Sequence, residues 1–310
     1  MLRPVGKLCG ILLLAGGSLA PAQQYTISTA AGGAPPSTPA TATGISIGQP
    51  ARVTTDSAGN YYFSSGNAVF KVSNGTLALV AGNSRAGFSG DNGPAVNAQL
   101  NAPQGLAVDS AGNLYIADSG NNRVRLVSNG IVTTFAGNGN SSPTADPFTF
   151  NDGGPATNGL LHQPMGVAVD SNGNVYIADT GDNIIRKVTT DGNIATIAGI
   201  GYPSFSGDAA AAVNAELQSP QDVAVDSSGN VYIADTYYSH IRKITSDGNI
   251  NSIVGNGTIG STGDGGVATK AGMIAPISMA VDSAGNIYIV ENGGHRIRQV
   301  DSKGNISTVV

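Results

Sequence analysis

Apolar and polar residues alternate in short runs along most of this chain, and the runs recur in a fixed order. From Gly166, "GVAV" and "NVYIAD" read as two strands joined by an Asp-Ser-Asn-Gly-Asn turn. "IIRKV" alternates as a third strand, a second turn falls at "TTDGN", and "IATIAG" is a fourth strand. Asp and Asn hydrogen-bond neighbouring backbone in such turns, and Gly supplies the positive φ. The same order restarts at Arg52, Gly105, Asp222 and Ser278. The aspartates that follow the opening strands, Asp56, Asp109, Asp170, Asp226 and Asp282, are spaced by 53, 61, 56 and 56 residues. That period covers four antiparallel strands with their loops, so the expected fold is all-β, a propeller of four-stranded antiparallel blades.

The fourth-strand pattern appears six times, from Ile27, Leu77, Val132, Ile194, Ile250 and Ile306, whereas the first three strands appear five times. The sequence thus shows five full repeats and an extra N-terminal strand. Two closures fit: a five-bladed ring with a strand to spare, or a six-bladed ring lacking most of one blade. The expectation is six-bladed-type geometry.

The units resemble NHL repeats, a family of propeller blades, from about Tyr25 to Val310. The resemblance rests on the Asp-x-x-Gly-Asn turn, the "YIAD" strand and the following "RIRK"-type strand. It implies the propeller fold. The family includes sensor, adhesion and signalling modules, RNA-binding domains and a few lyases, so the resemblance does not name an activity.

Composition adds a compartment. "MLRPVGKLCGILLLAGGSLAPAQQ" has a basic start, an apolar run from Leu8 to Ala15 and small residues at Ala20 and Ala22, which reads as a signal peptide over residues 1–22. Its apolar run is well short of the ~20 residues of a membrane span. Residues 23–310 are then expected to be a single propeller domain, secreted or periplasmic, with no membrane insertion of the mature chain. Cys9, the one cysteine, leaves with the signal and takes disulfide and thiol chemistry with it. Loss of Arg3 and Lys7 changes the net charge from −5 to −7, with 13 basic against 20 acidic residues, and an acidic exported protein is not expected to bind nucleic acid.

Comparing blades separates repeated features from singular ones. Asp118 with Arg125, Asp179 with Arg186, Asp235 with Arg242 and Glu291 with Arg298 stand seven residues apart in four repeats, and both partners are absent in the first, at Ser65 and Phe70. Joint presence and joint loss predict structural ion pairs rather than a catalytic group, which would break the symmetry. The Asp170, Asn172, Asn174 spacing superficially matches a calcium loop, but glycine comes too early and no glutamate closes it, so a structural turn is expected.

Tyr237, Tyr238 and His240 interrupt the repeat between the second and third strands of their unit. The long inserts between repeats, each with an aspartate among small residues (Asp91, Asp152, Asp208, Asp264) and then an Ala-rich stretch fit for a helical turn or two, emerge on the same side as these loops. Elaborated loops on a rigid scaffold commonly carry function. Tyr237, Tyr238, His240, His295, Asp208 and Asp264 are therefore the candidate binding residues, and the expected partner is a protein, peptide or glycan. No nucleophile elbow or zinc-protease motif occurs, and His162 occupies a different column from His240 and His295, so no cofactor, metal ligand or catalytic residue is assigned. The alternative is a metal-dependent lyase or lactonase-like enzyme with its site at the propeller channel.

Overall fold

The computed structural model describes residues 38–43, 46–141 and 150–310. The spare strand expected at Ile27 and the signal peptide lie outside them. Five separate sheets are present, each laid down in chain order from the centre outward. Blade one consists of Pro50–Thr55, Tyr61–Ser65, Ala68–Ser73 and Thr76–Ala81; blade two of Pro103–Val108, Leu114–Asp118, Arg123–Ser128 and Ile131–Ala136. Blade three consists of Pro164–Val169, Val175–Asp179, Ile184–Val188 and Ile194–Ala198; blade four of Pro220–Val225, Val231–Asp235, His240–Ile244 and Asn249–Val254. Pro276–Val281, Ile287–Glu291, Arg296–Val300 and Ile306–Thr308 make blade five. The described residues thus form five blades, which corrects the six-bladed expectation: six fourth-strand patterns cannot make six blades when only five sets of first, second and third strands exist to pair with them.

The turn between first and second strands is built alike in all blades. Asp170 shows the device: Oδ1 accepts the N–H groups of Asn172 and Asn174, and Oδ2 accepts the Asn174 amide and the Tyr176 hydroxyl. Gly173, at φ +87°, closes the turn in a conformation that L side chains resist. Both carboxylate oxygens are occupied by the loop itself. Burial raises the Asp170 pKa, but the hydrogen bonds from Asn174, Tyr176 and Asn172 outweigh it and the net shift is downward.

Neighbouring blades meet through apolar faces, and four successive cores join one to two, two to three, three to four and four to five. The tyrosine of each second strand (Tyr62, Tyr115, Tyr176, Tyr232) is buried against the next blade. A fifth core, around Phe63, Phe70 and Leu77, lies on the far side of blade one, where Ala42 and Ile47 cover it. Blade five is different. Tyr288 and Ile297 are only half-buried and Val310 is 56% exposed, whereas Val254, its counterpart in blade four, is 0% exposed. The first strands of successive blades pack side by side, but those of blades five and one do not pack to that extent.

The inserts fill the widening wedges between blades. In each, the Ala-rich stretch forms one 3-10 turn, at Ala95–Asn97, Ala156–Asn158, Ala212–Asn214 and Ala268–Lys270, and the first alanine of each is buried. Just ahead of it, Gly93–Pro94 and Ala210–Ala211 pair with the outer strands of blades two and four, which shields those edges from pairing with other chains.

Candidate functional site

Four arginines at one repeated position of the third strands, Arg125, Arg186, Arg242 and Arg298, are fully buried, and each lies between two acids. Arg125 reaches Asp118 at 3.3 Å and Asp91 at 2.5 Å; Arg186 reaches Asp179 at 3.6 Å and Asp152 at 2.5 Å. Arg242 reaches Asp235 at 3.8 Å and Asp208 at 2.7 Å; Arg298 reaches Glu291 at 3.4 Å and Asp264 at 2.7 Å. Each also donates to backbone carbonyls of the preceding insert, as Arg242 does to Glu216 and Ser206. The second acid in every pair belongs to that insert, 34 residues earlier. Asp208 and Asp264 are therefore bonded to arginines while keeping 42% and 44% of their side chains exposed. In blade one the arginine position is Phe70, stacked on Phe63 with ring centroids 5.5 Å apart.

The acids differ from blade to blade in what satisfies their second oxygen. Asn121 donates to Asp118, and the Ser261 hydroxyl donates to Glu291. The corresponding neighbour of Asp179 is Asp182, itself a carboxylate, and Asp179 Oδ2 has no hydrogen-bond partner among the described residues. Burial, reinforced by the Asp182 charge, pushes the Asp179 pKa up to about 8 against the pull of Arg186 and the His162 N–H. Asp235 is likewise raised by burial, to about 7.

The interrupted loop of blade four stands beside this chemistry. The Thr236 hydroxyl donates to the Pro276 carbonyl at 2.7 Å, which ties the loop to blade five. Ser239, at φ +59°, turns the chain into the third strand. His240 is 6% exposed and stacks on Phe205 of the insert at 4.5 Å, with Nδ1 donating to the Tyr238 carbonyl at 2.7 Å. Burial lowers its pKa, so the ring is neutral near pH 7. Tyr238 lies against Phe205 at 5.4 Å, and Tyr237 meets Tyr238 edge-on at 5.4 Å. Tyr237 itself is 64% exposed. Beside it opens a cavity of about 300 Å³, lined by Ser219, Gln221, Ile259, Ile274 and Ala275 together with the loop. Ile259, from the next insert, is 81% exposed.

The structure thus brings Tyr237, Tyr238 and His240 together and adds Phe205 and Ile259, which sequence reasoning did not select. A signal existed for Phe205: "FSGD" occurs in two inserts, and Phe88 of the other copy lies under the Arg123 guanidinium at 3.7 Å. His295 is exposed at the turn residue of blade five and makes no ring contact among the described residues. His162 lies 3.4 Å from Asp182 in blade three. The three histidines stay apart, and among the described residues no group of three His, Cys, Asp or Glu side chains is placed to hold a metal ion.

Five radial sheets around a channel, with wedge-filling inserts on one face, define a β-propeller. The chain belongs to the NHL-repeat family: the Teneurin NHL domain model matches residues 129–206, 201–262 and 257–310, and the NHL repeat model matches residues 100–125. Teneurin-1 of Mus musculus is 31% identical over 232 residues, a match covering 68% of this chain and 8% of the relative. Teneurin-3 of Mus musculus is 31% identical over 236 residues with the same coverage, so the chain spans less than a tenth of these relatives. Among solved structures, a protein of unknown function from Bacteroides thetaiotaomicron superposes with a TM-score of 0.57 at 19% identity, over 87% of this chain and 61% of that one. A streptogramin B lyase superposes with a TM-score of 0.53 at 18% identity, over 84% of this chain and 68% of that one. These likenesses are of fold.

Proposed function

We propose that this protein is an exported interaction scaffold: residues 23–310 form one propeller domain that captures a protein, peptide or glycan through its insert-bearing face. The observation that carries the reading is Tyr237, exposed beside a stack of half-buried Tyr238 and Phe205 on buried His240, and next to exposed Ile259. A rigid aromatic beside a partly apolar cavity is the kind of anchor that dominates interface energies, because little side-chain freedom is lost on contact. In this reading Tyr237 touches the partner, Tyr238 and His240 hold it in place, Asp208 and Asp264 fix the flanking inserts, and His295 lies on the rim. The basic, apolar N-terminal segment supports export, and no helix among the described residues is long and apolar enough to cross a membrane.

The test is a screen of the immobilised protein against a random-peptide display library and a glycan array. Hits are expected to lose at least about tenfold in affinity with Tyr237→Ala or Ile259→Ser, the usual cost of removing a hot-spot side chain. They are expected to be indifferent to Ala111→Lys on the opposite face. Hits that ignore Tyr237 and Ile259 but respond to position 111 would place the binding face on the wrong side.

A further inference from the structure

The first strands of all five blades surround a second cavity, the central channel, of about 250 Å³. Polar atoms make up about half of the surface presented to the channel, but most of its lining residues are aliphatic, Leu106, Val108, Val167, Val225 and Val281 among them. One position of the repeat departs from this. From blade one to blade five it holds Arg52, Gly105, Gly166, Asp222 and Ser278. The two glycines are required by close approach: a Cβ on Gly105 would lie 2.5 Å from the Met165 carbonyl oxygen, and one on Gly166 would lie 2.7 Å from the Asp222 Cα. Blades two, three and four are thereby drawn together, and the polar side chains at this level come from blades one, four and five.

Arg52 is the one cation and Asp222 the one anion among the lining residues. Asp222 is 8% exposed and already well satisfied, by the Ser278 hydroxyl at 2.8 Å and the N–H groups of Met279 at 2.9 Å and Val223 at 3.0 Å. Arg52 is not. Its Nη2 reaches from blade one to the Gln221 carbonyl of blade four at a long 3.4 Å, and its Nε is buried with no hydrogen-bond partner among the described residues. A guanidinium edge with unmet N–H groups fits a planar carboxylate, which accepts two parallel hydrogen bonds. A cavity of about 150 Å³ holds benzene, so a channel of about 250 Å³ has room for a hydrocarbon body of that size with an acid group attached. Asp222 stands close enough to Arg52 to offset its charge, so a ligand carboxylate would be held by the guanidinium hydrogen bonds rather than by net charge, and a second negative charge on the ligand would be repelled.

We propose that the channel binds a small monocarboxylate with an apolar body, its carboxylate on the Arg52 edge and its hydrocarbon against the valine-lined wall. This goes beyond the capture of a partner on the insert-bearing face, since the channel residues are distinct from Tyr237 and Ile259.

The experiment is calorimetric titration of the protein with benzoate and with benzamide, which has the same shape without the charge. Benzoate is expected to bind one to one, with benzamide weaker by about tenfold or more, as expected when a charged hydrogen-bond acceptor is replaced by a neutral one. Arg52→Gln should remove that preference while the melting temperature stays close to the parent's, and Asp222→Asn should admit phthalate, which the parent excludes. The wild-type comparison needs no variant to fold. Absence of benzoate binding at millimolar concentration, equal affinity for benzamide, or undiminished benzoate binding in Arg52→Gln would each overturn the proposal.

Discussion

The acids beside the buried arginines are alike in sequence and unlike in environment. Asp179, with Asp182 alongside, is protonated far more readily in the folded protein than in the unfolded chain. Between the ordinary carboxylate pKa near 4 and its folded value of about 8, the folded state binds a proton that the unfolded state has released, so stability falls as pH rises through that window and levels off above it. Urea unfolding at pH 5 and pH 8 should therefore show a smaller pH-dependent loss in Asp179→Asn than in the parent; an unchanged difference would mean that Arg186 keeps Asp179 ionised throughout. The pairing of these acids with arginine was legible in the sequence, because blade one loses both together. The third member was just as regular, always 34 residues ahead of the arginine, but it sits in a segment without strand periodicity that invites reading as free loop. The burial of His240 was not legible, since Phe205 belongs to the preceding insert and no local pattern announces the stack.

The unit of construction is a blade together with the insert ahead of it. Alternation and turn chemistry specify the four strands, because a one-residue slip would turn each apolar face outward. The Ala-rich stretches were legible as short helical turns, and their shortness follows from the wedge they fill. What binds insert to blade is the arginine, which bonds the insert through its aspartate and two carbonyls. Arg298→Met should leave Glu291 buried without its cation and cost about 3–5 kcal/mol, the range for breaking a buried ion pair from one side. The accompanying sign would be rapid proteolysis within residues 254–276 under conditions where the parent resists. A variant that is destabilised while this insert stays protected would show that the arginine supports the sheet alone. Blade one shows an apolar solution at the same position, with Phe63 and Phe70 stacked and no such ion pair.

At the scale of the whole molecule, the blades form a row of nearest-neighbour contacts, and the terms at its two ends are unequal. Among the described residues, blade one is covered on its far side by Ala42 and Ile47, whereas the matching face of blade five is only partly covered at Tyr288, Ile297 and Val310. In such an array, local opening starts where the fewest neighbours must be broken. Hydrogen exchange should reach the strands of blade five before those of blades two to four; uniform protection would mean that the ring opens only as a whole. The number of blades was the least legible feature, because a strand pattern can be counted in the sequence but the partner that would complete its sheet cannot. The covered face has a further consequence. In the language of polymerisation it acts as a chain stop: residues 42 and 47 of any copy already lie on the apolar face of its own blade one, so a head-to-tail contact there with another copy would first have to displace them.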